Sequence, residues 1–189
     1  MASRDPTVRA QSSSDVGRRA TVFPVGRRRA ILLAVVATST MLAATGYADP
    51  APRLLWNASA SVPIGFYRVG PGRRPRRGDL AVAWAPAAAR ELAARRGYLP
   101  RAVPLLKPVA AIAGDRICAK GVTVTVSGGL AADRLRADAS GRALPAWDGC
   151  RTLRSGQAFL LARSVRGSFD GRYFGVTEAR DIVGTAWRQ

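Results

Sequence analysis

The apolar and polar positions divide the chain into three stretches of different character. Residues 1–29 show no hydrophobic period; Ser12, Ser13, Ser14 and seven arginines against Asp5 and Asp15 predict a flexible basic arm. Between 30 and 48 the run AILLAVVATSTMLAATGYA, 19 residues, holds no charge. At about 1.5 Å per residue it reaches roughly 28 Å, close to the hydrocarbon thickness of a bilayer, and it predicts a single transmembrane helix. Arg27, Arg28 and Arg29 directly before it predict a cytoplasmic N-terminus, with the rest of the chain on the outer side. From Asp49 onward the pattern changes to short β-like runs at 80–84, 109–113, 116–126, 158–162 and 182–186, separated by Gly and Pro. One helix is predicted over 87–96, after Pro86 and before Gly97, where a C-terminal cap would sit. The reading is a basic arm, a membrane helix and a mostly β domain over 49–189.

Two other readings of 30–48 compete with the anchor. Gly46 and Ala48 have the small side chains of a signal-peptide exit, whose cleavage would release 49–189. The run is longer than the core of such a peptide, which favours retention. A buried helix of a soluble protein would not be apolar throughout directly after three arginines. The 141 residues from Asp49 suffice for one compact domain. Cys118 and Cys150 both fall within it, and an oxidising outer compartment favours a disulfide between them over two buried thiols.

Composition narrows the chemistry. The 189 residues contain no histidine, which excludes Ser-His-Asp and Cys-His hydrolases, a histidine general base and His-ligated zinc or iron. Two cysteines cannot build a site of four thiolates, and no metal or organic cofactor is implied. Lys+Arg is 30 against Asp+Glu 12, a net charge of +18, and all but Lys107 and Lys120 of those cations are arginine. Arginine stays protonated, whereas a desolvated lysine can become a neutral base. Lys120, between Ala119 and Gly121, reads as an exposed turn and receives no role. The sharpest basic cluster, Arg73-Arg74-Pro75-Arg76-Arg77, has few aromatics beside it for base stacking. It reads as a solvated loop with inner-membrane lipid as the favoured partner and no nucleic acid. Asn57-Ala58-Ser59 spells a glycosylation acceptor, a pattern common by chance.

Without histidine, a nucleophilic hydrolase can still be assembled from a serine on a sharp turn and a lysine kept neutral by burial. Ser61, in Trp56-Asn-Ala-Ser-Ala-Ser-Val-Pro-Ile-Gly-Phe-Tyr67, and Lys107, at the start of an apolar strand, fit by their surroundings. A free lysine titrates near 10.4, so burial must lower it by about three units. Taken singly, Ser-x-Pro is a turn, Gly-Asp-Arg a hairpin loop, and Asp-x-Arg a surface ion pair worth under about 1 kcal/mol. Their order changes the picture. Ser-Ala-Ser-Val-Pro (59–63), Lys107 ahead of Ala-Gly-Asp-Arg (113–116) and Ser-Phe-Asp-Gly-Arg (168–172) resemble three motif boxes of type I signal peptidases. Those are Ser/Lys serine peptidases anchored at the outer face of the bacterial inner membrane. More narrowly, Ser61-Val-Pro-Ile-Gly-Phe-Tyr67, Arg96-Gly-Tyr-Leu-Pro100 before Leu-Leu-Lys107, and Ser168-Phe-Asp-Gly-Arg-Tyr-Phe-Gly175 resemble the TraF-type peptidases of conjugal transfer. The likeness covers about residues 30–187.

The resemblance implies a signal-peptidase-like β-fold and assigns roles position by position. Ser61 matches the nucleophile, with its N–H in the oxyanion hole. Ser59 matches the serine whose hydroxyl gives a second oxyanion donor, a role the TraF-like branch need not use. Lys107 matches the general base, Ser168 the serine that aims its amine, and Asp170 and Arg172 an ion pair that braces the site. Gly171 stands where the last box usually has serine. Pro108, which lacks an N–H for a strand ladder, stands where a basic residue is common. The resemblance further implies a membrane-inserted pilin precursor as substrate, cut in the periplasm through an acyl-enzyme, beside the conjugative secretion machinery. Held strictly, it implies that the substrate's own N-terminus resolves the acyl-enzyme into a cyclic product. The rivals are a general type I signal peptidase that removes leader peptides and a catalytically silent, membrane-anchored assembly component. A self-cleaving Ser/Lys repressor would need a cytoplasmic DNA-binding domain, which residues 1–48 cannot form.

Overall fold

The structure, a computed structural model, describes residues 25–47 and 51–189, which fall into two units on either side of Asp49 and Pro50. Most of the expected basic arm lies outside the described residues. In the first unit helix α1 (Val25–Tyr47) starts earlier than the charge-free run and takes in Arg27, Arg28 and Arg29. Its apolar side chains, including Ile31, Leu32, Val35, Val36, Met41 and Leu42, are exposed. Among the described residues no helix is long and apolar enough to cross a membrane. The described side chains of α1 run from Gly26 to Ala44, so the end of the predicted span at Ala48 lies outside them.

The second unit is built on two antiparallel sheets. Strands β1 (Leu54–Asn57), β2 (Gly65–Pro71), β3 (Leu80–Ala83) and β4 (Leu105–Ile112) are joined by β9 (Ala158–Leu160) and β10 (Ile182–Arg188) in a six-stranded sheet of order β1-β2-β10-β3-β4-β9. Strands β5 (Arg116–Lys120), β6 (Thr123–Val126), β7 (Gly129–Asp133) and β8 (Gly149–Thr152) form a four-stranded sheet of order β7-β6-β5-β8. The mostly β architecture expected after the apolar run is observed over the described residues 51–189.

Several boundaries differ from expectation for local reasons. The run 116–126 is two strands: the Gly121 backbone is left-handed (φ 60°) and turns β5 back into β6. Strand β4 begins at Leu105, ahead of the predicted 109, so Lys107 lies inside the strand and pairs with Ala81 of β3. Pro108 stands where β3's pairing with β4 ends and β9's begins, and its carbonyl accepts from Leu161 N at 2.9 Å.

Helix α2 (Ala87–Arg95) matches the predicted helix within one residue. Gly97 (φ 72°) closes it with paired bonds, Gly97 N to Ala94 O at 3.2 Å and Tyr98 N to Ala93 O at 2.9 Å. This double closure fixes the direction in which Tyr98 leaves the helix.

The core between the sheets follows strand alternation. Ile117 and Ala119 of β5 and Val124 and Val126 of β6 point inward onto Ala111, Phe159 and Leu161. Phe159 is fully buried, a contribution of roughly 1.5–3 kcal/mol. Strand β8 is exposed along its length, and the expected disulfide is present: Cys118 and Cys150 stand directly opposite in the β5–β8 pair. Closing a loop of 32 positions stabilises the fold by about 2–4 kcal/mol.

Candidate active site

Ser61 sits on the loop between β1 and β2, and that loop is shaped by two buried side chains. Asn57, the last residue of β1, is 6% exposed and donates from Nδ2 to Ser59 O (2.8 Å), Val62 O (3.0 Å) and Pro63 O (3.1 Å). Tyr67, on β2, donates its hydroxyl to Pro63 O at 2.7 Å. Three carbonyls converging on one amide bend the backbone tightly around Ser61. The same Asn57 looks like a glycosylation acceptor in the sequence, but its amide is used inside the fold. Alternation along β1, where Asn57 falls on a buried position, was the available signal.

Lys107 reaches this loop from β4. It is 5% exposed, and its Nζ contacts the Ser61 hydroxyl and donates to Ser168 Oγ at 2.8 Å. Ser61 Oγ and Ser168 Oγ are 3.3 Å apart, so the three groups form a closed triangle. Burial lowers the Lys107 pKa from 10.5 to about 8; the Asp170 carboxylate opposes that shift, and the Arg172 guanidinium adds to it. A lysine in this state is half neutral slightly above neutral pH and can take the proton of a hydroxyl in contact with it.

Behind the triangle lies a second buried group. Helix α3 (Gly171–Phe174) is capped by Asp170, which is fully buried and accepts from Ala162 N (3.0 Å) and Arg172 N (3.2 Å). Arg172, 1% exposed, donates through Nε to Asp170 Oδ1 (2.8 Å) and through Nη2 to Asp170 Oδ2 (3.2 Å). Its other donors go to Ala162 O (2.7 Å), Asp133 O (3.1 Å) and Arg166 O (3.1 Å), which uses all five N–H groups. The pair therefore ties α3, the end of β7 and the loop after β9 together beneath Ser168. Gly171, which departs from the usual serine, has no room for one: a Cβ would lie 2.7 Å from Phe159 and 2.8 Å from Leu160 O.

Ser59 is the one expected member that stands apart. It is exposed, and both its amide (3.2 Å) and its hydroxyl (2.9 Å) bond Asn57 Oδ1 in a turn of their own. Asp115 of the Ala-Gly-Asp-Arg box acts as a turn brace, accepting from Ile112 N at 2.9 Å and from Arg77. Arg77 thus fastens one end of the basic cluster, and Arg73 lies over the Trp187 ring at 5.9 Å. Lys120 is exposed at the end of β5.

The triangle opens into a largely apolar cleft of about 930 Å³, walled by residues 55–61, 98–107, 135–144 and 165–173. Leu99, Leu105, Leu135, Leu144 and Phe169 supply much of its lining. Serine, buried lysine and an apolar groove together suit attack on an extended apolar peptide.

Comparison with known proteins agrees. The family model described as "Signal peptidase, peptidase S26" matches residues 27–188. The chain belongs to the S26 signal peptidase family. A relative from Sinorhizobium fredii named "Probable conjugal transfer protein TraF" is 35% identical over 176 residues, 85% of this chain and 89% of that protein. The Escherichia coli "Plasmid transfer protein TraF" is 35% identical over 82 residues, 42% of this chain and 46% of that one. A signal peptidase I structure from Enterococcus faecalis V583 aligns at 17% identity with a TM-score of 0.34, over 60% of this chain and 97% of that one. Membership makes the protein a signal-peptidase-type serine peptidase with relatives named for conjugal transfer.

Proposed function

We propose that the protein is a membrane-anchored Ser/Lys endopeptidase that processes a conjugative pilin precursor in the periplasm. The observation that carries this reading is the Lys107 amine, buried and held between the Ser61 and Ser168 hydroxyls, with no carboxylate bonded to it among the described residues. Neutral Lys107 takes the Ser61 proton as Oγ attacks the scissile carbonyl carbon. The oxyanion faces the Ser61 N–H, and Ser59 becomes a second donor by rotating its hydroxyl off Asn57. The C–N bond then breaks, Lys107 returns the proton to the leaving amine, and an ester remains on Ser61. Water, or the N-terminal amine of the same substrate, attacks that ester and passes a proton to Lys107, which returns it to Ser61 Oγ as the ester C–O bond breaks. The second course yields a cyclic product.

Residues 30–48 serve as the anchor. Within α1 the polar hydroxyls of Thr38 and Thr40 bond back to Ala34 O (2.7 Å) and Val36 O (2.8 Å), as a hydrocarbon environment demands. Inner-membrane lipid is the expected partner on the domain as well. Leu54, Trp56, Ile64 and Phe66 are exposed at the β1–β2 end, beside exposed Arg53 and Arg68. Aromatic and cationic side chains in that combination suit an anionic head-group region.

The test is mass spectrometry of the pilin precursor from the same plasmid, co-expressed with wild type, Ser61→Ala or Lys107→Met. Processing by wild type and by neither variant is expected. A product lighter by one further water than the hydrolysed form marks cyclisation. Equal processing in all three ends the catalytic reading and favours a silent assembly component. Cleavage of many unrelated presequences by the purified protein would favour a general signal peptidase.

A further inference from the structure

The cleft wall opposite the Ser61 loop includes a short hairpin, and its fastening is concentrated on one carboxylate. The hairpin spans 136–144: Leu144 N donates to Arg136 O at 2.9 Å, and Ala137 bridges to Ala143. Asp138 turns its tip, accepting from Ser140 N (3.0 Å) and Arg142 N (2.9 Å) on Oδ1. Its other oxygen, Oδ2, accepts from Arg142 Nε (2.7 Å) and from the Tyr98 hydroxyl. Arg96 reaches across with Nη1 to Ala143 O at 2.9 Å and stands 3.7 Å from Asp138 Oδ2. The carboxylate therefore joins two elements 40 positions apart in sequence, the hairpin and the residues that leave α2 through the Gly97 closure.

This junction leads toward the reacting groups. Tyr98 packs on Phe169 at 5.4 Å between ring centroids, and Phe169 follows Ser168, which holds the Lys107 amine. Tyr98, Leu135, Ala137, Asp138, Ala139 and Leu144 all face the cleft. Releasing the carboxylate frees one wall of the groove while leaving the β4 and β9 framework beneath Lys107 in place.

We infer that Asp138 is a positioning residue: with Tyr98, Arg96 and Arg142 it latches the 136–144 hairpin to the end of α2 and so sets the width of the cleft that receives an extended apolar substrate segment. The inference rests on the peptidase reading for its kinetic consequence but on the geometry alone for the latch itself. Charge-assisted bonds to a carboxylate are the strong kind, and their loss leaves the hairpin held to the end of α2 by weaker contacts, Arg96 Nη1 to Ala143 O and Arg142 over the Tyr98 ring. Arg96 and Arg142 keep their charge in any variant of Asp138, so a neutral residue there leaves two guanidinium groups without their shared carboxylate.

Two measurements on the full chain in detergent test it. In the first, amide exchange is compared among wild type, Tyr98→Phe and Asp138→Asn. The Arg142 and Leu144 amides should exchange about tenfold or more faster in Asp138→Asn and by a smaller factor in Tyr98→Phe, with β4 unchanged. Unchanged exchange at 142 and 144, or equal acceleration through β4, overturns the latch. In the second, the pilin precursor is titrated. The loss in kcat/KM should fall mainly on KM, rising about tenfold in Asp138→Asn. A fall confined to kcat overturns the role in cleft width. Failure of wild type to process the precursor would count against the proposed function, and amide exchange would still decide the latch.

Discussion

Two buried cations lie in one site, and the fold treats them in opposite ways. Arg172 spends every N–H on a carboxylate or a carbonyl, and its partner Asp170 is buried with it. Lys107 is nearly as inaccessible, yet its bonded partners are two hydroxyls, and among the described residues its charge has no direct counterion. A fully satisfied buried pair is a structural fixture, whereas a buried amine without a bonded carboxylate is driven toward its neutral form. On the proposed function, the difference separates the part of the site that holds shape from the part that moves a proton. The downward shift at Lys107 comes from burial: of the neighbouring pair, Asp170 raises its pKa more than Arg172 lowers it, so the brace tempers the shift and does not cause it.

Removing each cation in turn is the sharpest way to break this comparison. Lys107→Met should reduce processing by about 10⁴-fold or more without lowering thermal stability at pH 7. The sign follows from proton binding. Lys107 titrates at about 8 in the fold and at 10.5 when unfolded, so between those values the unfolded chain binds more protons and stability rises with pH. Below that window the lysine is protonated in both states, and a cost of about 3 kcal/mol stands that methionine removes. Arg172→Ala should instead destabilise the domain by about 3–5 kcal/mol, because it leaves Asp170 charged and buried, and activity should disappear with the fold. Thermal melts of both variants check the pair; a Lys107→Met protein as unstable as Arg172→Ala would erase the distinction.

A smaller effect sharpens it. Ser168 bonds the lysine and belongs to the proton-moving side, although it neighbours Asp170 in sequence. Ser168→Ala should lower kcat by about 10–100-fold with a small change in melting temperature, the mark of a lost positioning bond rather than a lost brace. A large drop in stability with kcat preserved would place Ser168 with Arg172 instead.

What could be read in advance followed from how locally each feature is encoded. Ser61, Lys107, Ser168, Asp170 and Arg172 could be singled out in advance because each falls in an ordered motif, and the structure places Ser61, Lys107 and Ser168 in contact and Asp170 against Arg172. The hairpin within 116–126 was hidden because Ile117 and Cys118 before Gly121 and Val122 to Val126 after it are all compatible with one continuous strand, and the left-handed Gly121 backbone makes the turn. Strands β1 and β2 were missed because Asn57 and Gly65, poor strand formers, end the one and begin the other. Asn57 is buried because its amide has three carbonyls to satisfy, a fact visible only once the loop has closed. The Tyr98–Asp138 contact joins residues far apart in sequence; Tyr98 lies in the Arg96–Pro100 motif, but nothing there points to Asp138, which carries no pattern of its own.

The central claim is that burial holds Lys107 well below the range of a solvated lysine, so that its neutral form is within reach near neutral pH, and its titration can be observed directly. The chain contains two lysines, Lys107 and Lys120, so protein labelled with ¹³C and ¹⁵N in lysine gives two side-chain signals. The one absent from Lys107→Met belongs to Lys107. The account predicts that this signal titrates with a midpoint of about 8. A midpoint of about 10 or above, the range of a solvated lysine, would contradict it.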